Sequence, residues 1–252
     1  MFVRFLQVKV STEYLKTLQG FYDKIVIPEL QKTPGCQYAC LIQSGNSADE
    51  FVSMTFWSTK NEAEAYEKSG VYQSLLNQVK PFLAESSEWK IKLSDDFELK
   101  YEPVAEEPIL REYSVAAQSE EEAPDEEQNP RMYVRIVSAK IKDGKMDEFK
   151  KLYADIIIPA LKNTKGCQYA YLTESMQEDN QIISLTIWDR KEDAERYEQT
   201  GRFAELVDKV KHTLSELYQW KMALEKETGK KAKTSEDIEI SRYSVVTGKS
   251  FH

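Results

Sequence analysis

Cysteine and histidine are scarce in this chain, and no stretch concentrates lysine and arginine. The three cysteines, Cys36, Cys40 and Cys167, are odd in number and have no metal-ligand spacing. On a regular strand Cys36 and Cys40 would share one face roughly 13 Å apart, too far to bridge. Small buried hydrophobes in a reducing cytoplasm are therefore expected, with no metal site. The absence of a basic stripe argues against nucleic acid or an anionic membrane as the main partner. Long apolar runs are missing too. The opening MFVRFLQVKV is broken by Arg4 and Lys9, so it reads neither as a signal-peptide core nor as a membrane span.

What is present suits a water-soluble globular chain. Its 252 residues can form one large domain or two of about a hundred residues each. Hydrophobic residues make up 41% and charged residues 31%, enough for cores with a well-solvated surface. Much of the net charge of -9 is local. The stretch Ser119 to Pro130, SEEEAPDEEQNP, has six acids and no base, and without it the charge is -3.

The chain repeats itself. FYDKIVIPELQKTPGCQYACLI from Phe21 answers LYADIIIPALKNTKGCQYAYLT from Leu152, and MTFWSTKNEAEAYEKSG from Met54 answers LTIWDRKEDAERYEQTG from Leu185. Prolines 28 and 159, cysteines 36 and 167, and tryptophans 57 and 188, 89 and 220 all differ by 131. No gap is needed from Val3 to Leu93, and about a third of the pairs are identical. The endings REYSV, from Arg111, and SRYSV, from Ser241, pair at an offset of 130. Two domains, 1–118 and 131–252, joined by an acidic linker, 119–130, are the division expected.

Each copy reads as an α+β unit. A β-branched first strand precedes a helix that Pro28 or Pro159 should kink or restart. Gly35 or Gly166 opens a second strand, and a third ends at Trp57 or Trp188. The next helix is capped by Asp189 with Glu192, more weakly by Ser58, and stops at Gly70 or Gly201. A further helix leads to a fourth strand that alternates Trp89, Ile91, Leu93 or Trp220, Met222, Leu224. The order β-α-β-β-α-β is ferredoxin-like, with a broken second helix and an extra terminal strand.

That order, with the tryptophan closing strand three and the EAEAYEKSG-type helix after it, resembles the antibiotic-biosynthesis-monooxygenase family of the dimeric α+β barrel superfamily. The resemblance implies that the two ferredoxin-like domains pair within one molecule as a dimeric barrel. REYSV and SRYSV would be exchanged arms, and further homo-dimerisation is left open. Some members oxidise polycyclic phenols or quinols with dioxygen and no cofactor; others degrade haem. The haem degraders use a strand-one asparagine, the strand-three tryptophan and a histidine on the last helix. Here the tryptophan matches Trp57 and Trp188, but the asparagine position holds Leu6 and Val137. The histidine position falls near Leu76 and Val207. With His212 and His252 the only histidines, neither of them repeated, the family's haem ligand is absent.

Strand parity supplies the candidate site. Val52, Met54 and Phe56, repeated as Ile183, Leu185 and Ile187, suit sheet-on-sheet packing. The opposite face holds Ser53, Thr55 and Trp57, then Ser184, Thr186 and Trp188. Arg4 and Arg135 stand on otherwise apolar strand-one faces, where a guanidinium needs a partner, water or a ligand. Together these would floor one pocket per copy, with Tyr66 and Tyr197 as walls. The expected ligand is a small aromatic phenol, enol or carboxylate stacked on the indole and held by arginine. No carboxylate or histidine repeats on that face as a base. The alternatives stay open: tryptophans that only fill a core, arginines paired with acids at the sheet end, tyrosines that only pack a helix. Two functions follow, a cofactor-independent monooxygenase and a non-catalytic binding or stress-related module. A third possibility is a structural pair with filled cores.

Overall fold

The computed structural model describes residues 1–93, 99–105, 109–118, 132–215 and 238–251. In the first half, β1 (Phe2–Lys9) is followed by α1 (Leu15–Phe21), a wide π turn over Tyr22–Val26 and α2 (Ile27–Gln31). Then come β2 (Cys36–Ser44), β3 (Glu50–Trp57), α3 (Lys60–Lys68) and α4 (Val71–Val79). Three further strands, β4 (Glu85–Leu93), β5 (Leu99–Ala105) and β6 (Ile109–Gln118), close that half. The second half runs β7 (Tyr133–Lys140), α5 (Met146–Leu152), a π turn over Tyr153–Ile157 and α6 (Ile158–Lys162). It continues with β8 (Cys167–Ser175), β9 (Gln181–Trp188), α7 (Lys191–Gln199), α8 (Arg202–Val210) and β10 (Ile238–Ser250).

Eight of these strands form one closed antiparallel barrel in the order β1-β3-β2-β10-β7-β9-β8-β6. Within it, β6-β1-β3-β2 and β10-β7-β9-β8 are two ferredoxin-like sheets. The closing strands do double duty. β6 pairs with β1 of its own half and with β8, while β10 pairs with β7 and with β2. REYSV and SRYSV are thus bridging strands that keep their place in their own sheets. Cleavage within 119–130 should leave the two fragments together, because both seams are strand ladders. The fragments are expected to co-elute on gel filtration after proteolysis. Separation without denaturant would refute this.

Alternation along the strands divides the apolar residues into three clusters. Val3, Phe5, Val52, Met54 and Phe56 join Val134, Ile136, Ile183, Leu185 and Ile187 in the barrel interior. The outer faces pack under the helices of their own halves, around Trp57 in one and Trp188 in the other. At about 25 cal/mol per Å² of apolar surface removed from water, such clusters are the main favourable term in the fold.

Several local expectations give way to tertiary structure. The register of β2 against β3 shifts between Cys36 and Tyr38, and that of β8 between Cys167 and Tyr169. The extra residue in this bulge reverses the parity. Cys36 therefore lies in the helix-side cluster and Cys40 inside the barrel, not on one face. Gly35 and Gly166, before the bulges, have φ of 82° and 84°. A Cβ there would lie 2.3 Å from Glu62 Cδ or 2.6 Å from Asp193 Cβ, so only glycine fits.

At Pro28 and Pro159 the α-helix restarts as expected, with the proline in the first turn of α2 and α6. Its backbone stays right-handed through the junction, and the π turn just before the proline accommodates the missing N–H. Thr59, not Ser58, caps α3. Its Oγ1 accepts from Glu62 N at 3.3 Å and donates to Glu62 Oε2 at 2.9 Å. Asp189 is not a cap; it accepts from Gln168 Nε2 at 2.9 Å, and Arg190 stands at the N-cap. The Trp89 strand, β4, leaves the barrel to pair with β5 in a two-stranded sheet, and β6 takes the fourth sheet position. The acidic stretch 119–130, the strand expected at Trp220 to Leu224, and His252 lie outside the described residues.

Candidate functional site

Each half has a cavity between the outer face of its sheet and its helices. In the first, Arg4, Ser53 and Thr55 come from the strands, Tyr22 from the π turn, Tyr66 from α3 and Tyr72 from α4. Leu6, Leu18, Leu75 and Leu76 are among its apolar walls, and it holds about 700 Å³ of space between atoms, part of it open to solvent. The second repeats this with Arg135, Ser184, Thr186, Tyr153 and Tyr197, and places Phe203 where Tyr72 stands, in about 540 Å³. Apolar walls with a few convergent polar groups are the usual make-up of a small-molecule site.

The strand and helix residues expected at the site are brought together in both halves, except the tryptophans. Trp57 and Trp188 are 0% exposed and are not among the lining residues. Each indole N–H is already used, donating to Thr55 Oγ1 at 2.9 Å or Thr186 Oγ1 at 2.8 Å. The rings lie behind Tyr66 and Tyr197, with centroids 5.2 Å apart in both halves. A ligand would meet the tyrosine, which the indole supports from beneath. Stacking of a ligand on tryptophan is therefore ruled out in this arrangement by the tyrosine between them.

The arginines do both of the things considered for them. Their side chains are buried and paired, but with acids on the neighbouring helices, not at the sheet end. Arg4 Nη2 donates to Glu67 Oε2 at 3.0 Å and Nη1 to Ala63 O at 3.3 Å; Arg135 Nε donates to Glu198 Oε1 at 2.6 Å. Aromatic faces cover the guanidinium groups, Tyr72 at 5.1 Å from Arg4 Cζ and Phe203 at 4.3 Å from Arg135 Cζ. Both arginines also line their cavities.

Sequence parity missed a second polar pair. Tyr22 OH and Ser53 Oγ lie 2.9 Å apart, and Tyr153 OH and Ser184 Oγ 2.6 Å. The signal was in the repeat, since Tyr22 and Tyr153 are identical at the 131-residue offset, but amphipathic spacing alone marks them as packing. Burial pushes four of the five cavity tyrosines, Tyr22, Tyr66, Tyr153 and Tyr197, upward. Tyr22, Tyr66 and Tyr153 go well above the ordinary phenol value, and Tyr197 rises to about 12 even though Arg135 pulls it down. They remain protonated donors at neutral pH. Burial likewise holds Cys36 and Cys167 as thiols, each near 12. No carboxylate or histidine is among the residues lining either cavity. His212 is on the surface, 2.9 Å from Glu148.

Residues 132–209 match the sequence profile of the family described as antibiotic biosynthesis monooxygenase. No curated protein matches the chain by sequence. Among solved structures, a candidate monooxygenase from Fusobacterium nucleatum is similar at a TM-score of 0.67 and 9% identity, covering 99% of this chain and 94% of that one. A candidate monooxygenase from Lactobacillus acidophilus gives 0.61 and 9%, with 99% and 95% covered. An anthrone oxidase-like protein gives 0.59 and 13%, with 99% and 92% covered. At these identities the likeness establishes the fold. Among the described residues no helix is long and apolar enough to cross a membrane, and no group of acidic, histidine and cysteine side chains is placed to hold a metal.

Proposed function

We propose that the chain is a tandem pair of antibiotic-biosynthesis-monooxygenase-type units that bind a small aromatic phenol or quinol and oxygenate it with dioxygen and no cofactor. The observation that carries this reading is the recurrence, in both halves, of an apolar cavity holding the same arginine, tyrosines, serine and threonine. In the simplest balanced reaction a phenol and dioxygen give a quinone and water. One oxygen atom enters the ring and the other leaves as water, and the substrate supplies all four electrons. The phenol must first ionise. In the first cavity the Arg4 guanidinium and the protonated tyrosines then favour the oxyanion among mostly apolar walls.

None of these groups accepts a proton at neutral pH. The rate should therefore follow the ionisation of the substrate itself. Oxygen uptake with hydroquinones and naphthols is expected to rise about tenfold per pH unit below the substrate's own pKa, then level off. A plateau already reached near pH 7 for every substrate would instead indicate a base in the protein. No uptake above the uncatalysed rate across the series would remove the enzyme reading. The missing base specifically favours a second reading, a non-catalytic binding module using the same cavities.

A further inference from the structure

The two cavities differ in how their arginines are engaged. Both terminal nitrogens of Arg4 already donate, Nη1 to Ala63 O at 3.3 Å and Nη2 to Glu67 Oε2 at 3.0 Å, and its buried atom without an acceptor among the described residues is Nε, on the stem of the group, not a terminal nitrogen. Arg135 meets its acid through Nε instead, at 2.6 Å from Glu198 Oε1. Its Nη2 is buried and has no hydrogen-bond acceptor among the described residues, on a side chain that is 2% exposed and lines the second cavity. The ring over this guanidinium is Phe203, which carries no hydroxyl, where the first half has Tyr72.

A buried N–H without an acceptor is unfavourable, and much more so in a charged group. The charge of Arg135 is nevertheless already balanced by Glu198. What the cavity lacks is an acceptor, not a counter-ion. A carboxylate would place a second negative charge beside Glu198 and would have to shed its water among aliphatic and aromatic walls. A neutral carbonyl oxygen supplies lone pairs at a much smaller desolvation cost. We infer that the second cavity, and not the first, selects a one- or two-ring aromatic ketone or quinone, one molecule per chain, with Arg135 Nη2 donating to the carbonyl oxygen. Arg135 is then the residue that sets specificity. This rests on reading the cavities as sites for small aromatic molecules.

The test uses 1-tetralone and tetralin, which differ by one carbonyl, and 1-naphthoate as the anionic competitor, each titrated calorimetrically into the full chain. Tetralone should bind with a stoichiometry of one and about ten- to a hundredfold more tightly than tetralin. Naphthoate should bind less tightly than tetralone. Arg135→Met should erase the preference for the ketone while tetralin binding persists. Val207→Trp, which fills the second cavity, should abolish tight tetralone binding; Leu76→Trp, which fills the first, should not. If Arg135→Met does not fold, the ligand comparison on the unmodified chain and the two cavity-filling variants still decide. Equal affinity for ketone and hydrocarbon, two equal ketone sites, a preference for naphthoate, or loss of ketone binding in Leu76→Trp alone would each overturn the assignment. Tetralin binding with no gain for the ketone would overturn this assignment and leave the cavity reading standing. No binding of any probe would fail the cavity reading itself.

Discussion

Trp188→Ala is expected to lower the stability of the chain by about 3–5 kcal/mol, seen as a fall in the urea midpoint with little change in slope. The side chain is among the largest fully buried ones, and its removal leaves a void beneath Tyr197 that the closed sheet has little freedom to fill. The Thr186 hydroxyl also loses the donor that now stands 2.8 Å away. Trp57→Ala should behave the same way, because Tyr66 and Thr55 surround it at matching distances. Trp188→Phe keeps a ring and should cost about 1–2 kcal/mol, mainly the hydrogen bond and the lost ring volume. Ligand affinity should fall with Trp188→Ala as well, through a displaced Tyr197. A stability loss below about 1 kcal/mol would show that the ring is not part of the packed support.

The second large effect is expected at Glu198. Glu198→Ala leaves Arg135 charged, with its side chain 2% exposed and no other acid partner among the described residues. Breaking a buried pair from one side costs about 3–5 kcal/mol, because the desolvated charge stays behind. Glu198 is itself 22% exposed, so the lower end, about 3 kcal/mol, is expected. Glu67→Ala is the internal control. Glu67 is 46% exposed, solvent already screens it, and about 1 kcal/mol or less should be lost. Adding Arg135→Met to Glu198→Ala should recover part of the loss, since it removes the stranded charge. Additive losses in that double-mutant cycle would show that the two side chains do not depend on each other.

Much of this arrangement is legible in the sequence, and what is not legible has a common cause. Alternation along β3 and β9 assigns Ser53, Thr55, Ser184 and Thr186 to the helix side and Met54 and Leu185 to the barrel side, where they are found. Those assignments need only the period of a strand. The Cys36 face fails because one extra residue at Gln37 is invisible to an alternation count. The fourth barrel strand fails because Trp89, Ile91 and Leu93 alternate as well as any strand should. Competition from 109–118 for the edge of β1 is decided by closure of the whole ring. The tryptophans reach the expected face but not the expected depth, since Tyr66 and Tyr197 come from another element and lie in front of them. The ion pairs were partly visible, because Glu67 and Glu198 repeat at the same offset as Arg4 and Arg135. Helix position alone did not show that they would reach those arginines.

The barrel interior also bears on how such a chain can change with time. In an assembly of two identical chains every substitution arrives twice, facing itself across the axis, so a bulky gain in the centre is doubled. Here the position that holds Tyr171 in one copy holds Cys40 in the other, and both are fully buried in the same cluster, with Phe56 5.1 Å from the Tyr171 ring. A second tyrosine at position 40 would need space that this close-packed interior does not have. Covalent joining lets large and small residues compensate across the seam. It also frees each half to drift separately, as it has where Tyr72 lines the first cavity and Phe203 the second.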